Sequence, residues 1–238
     1  MAQTRRLIVN ADDFGQSTGV NLGIIEAFER GIVTSTSIMV RWPAAADAAQ
    51  YARSHPQLSV GLHFEIGEWA FRQGEWIPLY EVVAKTDGEA VSGELSRQLQ
   101  VFGDLVGRPP SHLDSHQHVH RSDPARSIMI AKAQELGIPL RLYSKVRFCG
   151  SFYGQTEDGK PLWDQIAIAS LDRLLSELEP GTTELSCHPA SSVDFETMYA
   201  TERLRELEVL CDSRLRRLLA DKNIELCSFN NLSEHPWG

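Results

Sequence analysis

Two adjacent carboxylic acids, Asp12 and Asp13, follow a short apolar run near the start of the chain. The run over residues 7–11 predicts a buried strand that ends in polar residues. Two carboxylates at the end of such a strand repel each other and lose hydration. A bound cation or proton is needed to offset this repulsion. In a solvated turn the same pair would only act as a cap. The pair therefore indicates a site only in combination with other residues.

Histidines follow or end two further strand-like runs. His63 ends the run 58–63, and His188 follows the run 183–187. Because the carboxyl ends of parallel strands meet at one edge of a sheet, these side chains would lie near the two acids. Taken alone, His188 is better explained as a strand-end histidine bonded to the backbone. Its expected position near Asp12, Asp13 and His63 instead favours a chemical role for His188.

A denser cluster surrounds Asp114. In an extended strand side chains alternate, so His112, Asp114 and His116 would share one face. A face of imidazoles and carboxylate is a poor core but a good metal or acid–base surface. We expect His116 to be a ligand, whereas His118 and His120 are equally well explained as surface residues in a turn.

The composition is typical of a globular protein. The 238 residues include 42% hydrophobic and 23% charged residues, with a formal net charge of −9. This length suffices for one sizeable core, and we expect a single domain over residues 1–238. The acidic balance argues against nucleic acid or an anionic membrane as the main partner. No run reaches the roughly 20 apolar residues of a membrane span.

The cysteines and the start of the chain predict a cytoplasmic protein. The four cysteines show no C-x-x-C or similar spacing, which argues against a zinc knuckle or redox pair and favours a reducing compartment. The first apolar run is too short for a secretory signal peptide, and acids follow it at once. The cysteines are Cys149, Cys187, Cys211 and Cys227.

Apolar runs and helical periodicities alternate along the chain, which is typical of a mainly parallel sheet. We expect seven strands, over residues 7–11, 34–40, 58–63, 111–116, 139–143, 183–187 and 224–229. We expect helices over residues 18–30, 43–53, 92–106, 123–136, 163–178 and 201–220. The first strand is not followed by Gly-x-Gly-x-x-Gly, and the chain has no phosphate loop. A closed or nearly closed α/β barrel therefore fits better than a dinucleotide-binding fold.

In such a barrel the functional site lies at the C-terminal ends of the strands. One carboxylate and two imidazoles there would leave coordination positions open, as a hydrolytic zinc or a harder divalent ion requires. A second carboxylate could take a proton from water, and His188 could donate one to a leaving group. The spacing does not decide which of Asp12 and Asp13 would bind the metal.

Four segments, in order along the chain, resemble the YdjC-like carbohydrate deacetylases. They are NADDFGQSTGVNLGIIEAFERGIVTSTSIMV at 10–40, GLH at 61–63, PSHLDSHQHVH at 110–120 and CHPA at 187–190. The resemblance spans residues 7 to about 229. It implies a distorted, TIM-like α/β barrel and one divalent metal ion, Mg²⁺ or Zn²⁺, used to remove acetyl groups from N-acetylated sugars.

The resemblance also implies a role for each of five residues. Asp13, His63 and His116 match the family's metal ligands. Asp12 matches the general base, and His188 matches the general acid. By this reading a metal and Asp12 act on water while His188 protonates the departing amine.

Other residues are candidates to support the site or to bind the sugar. Asp114 could orient a metal ligand or His188. Arg141, at the end of the fifth expected strand, could contact substrate or steady a carboxylate, although a structural ion pair explains it slightly better. The irregular, aromatic segments 64–90 and 144–162 read as long loops that form either a binding wall or a satellite core.

The stretch between His63 and Pro109 is short and the loop around 144–162 is compact compared with longer members of the family, and both would line the sugar site. We name Glu65 as a further candidate for substrate binding. Trp69, Trp76 and Tyr153 are candidates for stacking on sugar rings, with core packing as the alternative. Because these segments differ from those of longer members, the resemblance does not fix the identity of the sugar. It could be a chitooligosaccharide or a glycolipid sugar.

Two other functions remain as alternatives. A hydrolase of another bond, such as a phosphoester or another acyl group, would be favoured by a basic mouth, but only Arg141 and Lys145 lie near an expected strand end. A glycan-binding barrel without catalysis is disfavoured because all five catalytic-type residues are present. The expected partner is a small carbohydrate. The amphipathic helix at 201–220 could also serve a homo-oligomer, such as a dimer.

Overall fold

The computed structural model describes residues 4–232 and 236–237. The strands of these residues are β1 (Arg5–Phe14), β2 (Ser35–Ile38), β3 (Ser59–Phe64), β4 (Gly67–Arg72), β5 (Glu75–Glu81), β6 (Leu113–Ser115), β7 (Arg147–Cys149), β8 (Gly181–Cys187) and β9 (Ile224–Leu226). The α-helices are α1 (Thr18–Glu29), α2 (Ala45–Ser54), α3 (Gly88–Val106), α4 (Ala125–Leu136), α5 (Ile168–Ser176), α6 (Thr201–Leu210) and α7 (Arg214–Asp221). Short 3₁₀ turns cover His116–Arg121, Trp163–Ile166 and Phe229–Asn231.

The main sheet is parallel and has the strand order β6-β3-β2-β1-β8-β7, with β9 paired to the first residues of β1. Beyond β6, within the described residues, the sheet continues only as a bridge between Leu113 and Leu140. The sheet is therefore a curled half-barrel, which confirms the expected α/β class with about seven mainly parallel strands. Because the strands run the same way, their carboxyl ends lie at one edge.

The central strand β1 is buried along nearly its whole length, from Leu7 to Phe14. Leu7 and Val9 belong to the main hydrophobic cluster, whereas Ile8 belongs to a second cluster with Val146, Cys227 and Phe229, so β1 is buried on both sides. This is why the first strand appears in the sequence as a continuous apolar run rather than as an alternation. None of the helices in the described part of the chain is both long enough and apolar enough to cross a bilayer.

The strand expected at 139–143 is wrong. Leu113 N donates to Pro139 O and Arg141 N donates to Leu113 O, which gives one bridge. Leu142 then has a φ of 72°, in the left-handed region, so the extended backbone ends there. The sheet instead gains β7, which lies inside the segment 144–162 that had been expected to be irregular.

The loop expected at 64–90 is also wrong, because strands β4 and β5 form an antiparallel hairpin there. Its turn is Gln73–Gly74, and both residues have positive φ, at 54° and 92°. Positive φ at both turn positions matches the right-handed twist of the two strands. Most of β5 is exposed, so its sequence lacks the buried alternation that identifies a strand.

Two of the expected helices are interrupted. The helix expected at 201–220 is divided into α6 and α7 at residues 211–213, where the carboxylate of Asp212 accepts a hydrogen bond from Arg214 N. The helix expected at 163–178 begins as a 3₁₀ turn and becomes α5 only at Ile168. The expected helices at 18–30, 43–53, 92–106 and 123–136 are present, with ends shifted by a few residues.

Helix α1 packs against the chain that follows His188, and a glycine makes this contact close. A Cβ added at Gly23 would lie 2.4 Å from Ala190 Cα, whereas a Cβ added at Gly103 in α3 would meet nothing within 4 Å. We expect Gly23→Ala to destabilise the fold by about 1–3 kcal/mol, since backbone must move. Gly103→Ala should instead stabilise α3 by about 0.5–1 kcal/mol. Urea unfolding of both variants tests this, and equal effects would contradict the packing argument.

Candidate active site

The carboxyl ends of the parallel strands open into one cavity with a volume of about 930 Å³. The five residues expected to bind metal or to catalyse all line this cavity. They are Asp12, Asp13, His63, His116 and His188. The sequence-based expectation that they converge is therefore consistent with the fold.

The end of β1 directs both of its acids to the cavity. Asp12 and Asp13 are 2% and 1% exposed, respectively. Asp13 has a φ of 70°, in the left-handed region, and this breaks the alternation of a regular strand. The two neighbouring carboxylates can therefore face the same cavity while keeping different partners.

Asp13, His63 and His116 form a group suited to a divalent cation. One potential ligand atom from each lies within 4.8 Å of the others. Asp13 Oδ1 is 3.2 Å from both His63 Nε2 and His116 Nδ1. The Nε2 atoms of both histidines are buried without a hydrogen-bond partner among the described residues. Two imidazoles and a carboxylate fit zinc or a harder divalent ion.

The other ring nitrogen of His63 is held by Asp114. Its Nδ1 lies 2.7 Å from Asp114 Oδ1, and Ser37 Oγ lies 3.2 Å from the same nitrogen. Burial would lower the pKa of His63, but the Asp114 carboxylate prevails and raises that pKa to about 10. Of the two roles expected for Asp114, this contact is the one that orients a candidate metal ligand.

Arg141 is buried among carboxylates. Its guanidinium donates two hydrogen bonds of 2.7 Å to Asp12, and it lies 2.8 Å from Asp114 and 2.6 Å from Glu184. Burial would raise the pKa of Asp12, yet the Arg141 charge lowers it. Burial raises the pKa of Glu184 to about 7, despite the same guanidinium. Arg141 thus holds three carboxylates in place through ion pairs, which is one of the roles expected for it.

A second group of potential ligand atoms consists of Asp12, His63 and Asp114. Here Arg141 is already bonded to Asp12 and paired with Asp114, so positive charge is present without an ion. The group around Asp13 has no guanidinium between its ligand atoms, because Arg203 binds the far oxygen, Oδ2. The Asp13 group is therefore the better metal candidate.

Arg203 was not identified from the sequence. It lies in the first turn of α6, is buried, and donates to Asp13 Oδ2 at 2.7 Å. Burial would raise the pKa of Asp13, but the Arg203 charge holds it well below its usual range. The charges of α6 resemble those of a solvated helix face, so the sequence carries no signal that this one is buried.

His188 lies beside Asp12, with 3.8 Å between its Nε2 and Asp12 Oδ2. Burial lowers the pKa of His188 to about 4. Its backbone N–H donates to Glu206 of α6, whose Oε1 is 3.9 Å from His188 Nδ1. Tyr199 also donates its hydroxyl to Glu206. Burial raises the pKa of Glu206 to about 8. Glu206, like Arg203, was missed because its helix reads as solvated.

The walls of the cavity hold most of the expected sugar-binding residues. Trp69, Trp76 and Tyr153 line it, whereas Glu65 does not. Glu65 is fully buried and accepts a hydrogen bond of 2.6 Å from Tyr80, which anchors the base of the β4–β5 hairpin. Glu68, in the same segment, does line the cavity, and it was not among the residues predicted from the sequence.

Of the three residues expected to share one face, His112 stays beside Asp114, with 4.0 Å between its Nε2 and Asp114 Oδ2, whereas His116 does not continue the strand. His116 begins a 3₁₀ turn, and His118, with a φ of 52°, lines the cavity wall. His112 lies behind the site and stacks on Phe229 at 3.8 Å between ring centroids. His120 is buried against Ser115. The expected alternation ended because β6 stops at Ser115, before His116.

Comparison with solved structures defines the class. A family 4 carbohydrate esterase from Streptomyces lividans, in complex with acetate, shares the fold with a TM-score of 0.57, covering 95% of this chain and 93% of that chain at 14% identity. A putative cellobiose-phosphate cleavage protein from Enterococcus faecalis V583 gives a TM-score of 0.75 at 27% identity, covering 98% of this chain and 100% of that chain. The class is therefore the curled α/β half-barrel of these structures.

Comparison of sequences gives the family. A chitooligosaccharide deacetylase from Klebsiella pneumoniae (strain 342) is 37% identical over 257 residues, which cover 96% of this chain and 99% of that protein. The family described as YdjC-like protein matches residues 6–221. The chain belongs to the YdjC-like family, as its motifs indicated.

The candidate metal ligands can be tested without substrate. We expect Zn²⁺ at about 100 times its Kd to stabilise the parent protein by about 2.7 kcal/mol, because an ion that binds only the folded state shifts the unfolding equilibrium. His116→Ala should lose this gain, and His118→Ala, which changes a neighbouring cavity residue, should keep it. Thermal unfolding with and without Zn²⁺ measures both, and equal gains in the two variants would contradict the assignment.

Proposed function

We propose that this protein is a metal-dependent hydrolase that removes an N-acetyl group from an amino sugar or a short N-acetylated glycan. The observation that carries the proposal is the placement of Asp12 and His188 in the same cavity as the group Asp13, His63 and His116. The similarity to the K. pneumoniae chitooligosaccharide deacetylase supports the reaction and the sugar class.

The three candidate ligands would hold a divalent ion, which supplies Lewis-acid polarisation of the acetyl carbonyl and a more acidic water. Asp12 is the base in this scheme. Both of its oxygens accept hydrogen bonds from Arg141, so its carboxylate is ionised and fixed in orientation. Asp12 accepts a proton from the attacking water as the tetrahedral centre forms at the acetyl carbon.

His188 delivers a proton to the nitrogen that leaves. Because burial lowers its pKa to about 4, its imidazole is neutral at pH 7 and must first gain that proton. Asp12 has just taken one from water, and its Oδ2 lies 3.8 Å from His188 Nε2. The water proton then passes through Asp12 and His188 to the amine, while the water oxygen and its second proton leave on acetic acid, which ionises to acetate in solution.

The cavity suits a short glycan. Its volume of about 930 Å³ lies near the upper end of small-molecule sites, which are roughly 300–1,000 Å³. Trp76 and Tyr153 present half-exposed aromatic rings in its wall. Such rings can stack on the apolar faces of sugars, and a chitooligosaccharide-like substrate would use more than one of them.

The phosphoester alternative is weakened at the two basic residues, Arg141 and Lys145, that were named for it. Arg141 is enclosed by Asp12, Asp114 and Glu184, so its charge is already neutralised within the protein. Lys145 is not among the residues that line the cavity. Three other basic residues do line it, of which Arg203 is paired with Asp13, and they are Lys85, Arg121 and Arg203. The acetyl transfer to water needs no further cation from the protein, which favours the amide bond as the target.

Release of acetate tests the reaction. We expect metal-loaded protein to release acetate from N-acetylglucosamine oligomers and chelator-treated protein to release none. Asp12→Asn should lower kcat by about 10²–10⁴-fold, the usual contribution of a general base, with Zn²⁺ affinity kept. Asp123→Asn, a matched change in the cavity wall, should keep activity. Near-normal turnover by Asp12→Asn would exclude Asp12 as the base.

The proton path predicts a pH profile. A histidine with a pKa near 4 is neutral throughout pH 6–8, so its protonated form cannot be the resting state. We expect kcat/KM to stay level or rise across that range. A tenfold fall for each pH unit would show that the free enzyme needs protonated His188, and the shuttle through Asp12 would then be wrong.

A further inference from the structure

The β4–β5 hairpin is tied to the candidate metal site next to His116. The side-chain amide of Gln117 donates to Trp69 O at 2.8 Å and accepts from Trp69 N at 3.0 Å. This paired contact fixes strand β4 against the turn that carries His116. The residue before Trp69 on that strand is Glu68.

Glu68 and His116 present unpaired polar atoms to each other. The Glu68 side chain is 9% exposed, and its Oε2 lies 3.9 Å from His116 Nε2. That nitrogen is buried without a hydrogen-bond partner among the described residues. The Glu68 carboxylate likewise takes part in none of the hydrogen bonds found within residues 4–232. A buried polar atom without a hydrogen-bond partner is unfavourable, so His116 Nε2 has reason to pair with the Glu68 carboxylate.

His63 already has the arrangement that a pairing with Glu68 would give to His116. One of its ring nitrogens faces Asp13 at 3.2 Å, and the other contacts the Asp114 carboxylate at 2.7 Å. His116 also faces Asp13 at 3.2 Å, through Nδ1, and it faces Glu68 through Nε2. Histidines that bind metals generally donate their second N–H to a carboxylate, a backbone carbonyl or water, which fixes the ring and strengthens the ligand.

We propose that Glu68 is the positioning residue of His116, accepting a hydrogen bond from its Nε2–H while Nδ1 faces the cation. This inference rests on the proposed function, since it requires a cation at the Asp13 group. An approach of about 1 Å brings the two atoms within hydrogen-bond distance. Because Trp69 and Trp76 lie on the same hairpin, the wall that faces the glycan also sets the strength of a metal ligand.

Direct measurement of Zn²⁺ affinity, by competition with a chromophoric chelator and without substrate, tests the proposal. Glu68→Ala should bind Zn²⁺ roughly 10–100-fold more weakly than the parent. Glu68→Gln keeps the size of the side chain and an amide oxygen that accepts the same bond, so its affinity should be intermediate. Glu75→Ala, an exposed acid on the same hairpin, should match the parent.

The outcomes separate this inference from the proposed function. If the parent binds Zn²⁺ and Glu68→Ala binds it equally well, Glu68 does not position His116, although the metal site stands. If Glu68→Gln is as weak as Glu68→Ala, the carboxylate coordinates the ion directly and the inference is also wrong. If the parent binds no divalent ion, both the metal site and the role of Glu68 are excluded.

Discussion

Each of the two adjacent acids that end β1 has its own buried arginine, and the site depends on this division. Asp12 is bonded to Arg141 and Asp13 to Arg203. Two carboxylates this close would otherwise repel each other in a poorly solvated cavity. Removing one partner of such a buried pair typically costs about 3–5 kcal/mol, because the remaining charge is left uncompensated. The cluster is therefore strongly specified by the fold.

The two arginines also give the acids different chemistry. Arg141 binds both oxygens of Asp12, which orients that carboxylate for its proposed role as the base. Arg203 binds only Oδ2 of Asp13, so Oδ1 remains directed toward the imidazoles of His63 and His116. The sequence motif could not tell which acid would bind metal. The partner arginines, which come from distant segments, support Asp13.

What could be predicted from the sequence follows from local patterns. Residues such as Asp13, His63 and His188 end apolar runs, and the parallel sheet then brings strand ends together. Arg203 and Glu206 could not be found in this way, because a buried charge on α6 has the same local pattern as a solvated one. In the segment that leads into the β4–β5 hairpin, the sequence pattern favoured Glu65 as a binding residue. The structure instead places Glu68 of β4 in the cavity wall. Which side chains of a hairpin face the cavity depends on the register of its two strands. In a hairpin the turn helps to fix that register, and the turn was not recognised in the sequence.

Helix α6 links the two halves of the site. Arg203 and Glu206 are three residues apart and so lie on one face of the helix, where one binds Asp13 and the other binds the backbone of His188. On the other side of His188, the chain packs against Gly23 of α1 too closely for any larger residue. The backbone around His188 is thus held by α6 at His188 itself and by α1 at Ala190. Because these contacts lie outside the cavity, substitutions there would be expected to affect the proposed proton transfer between Asp12 and His188.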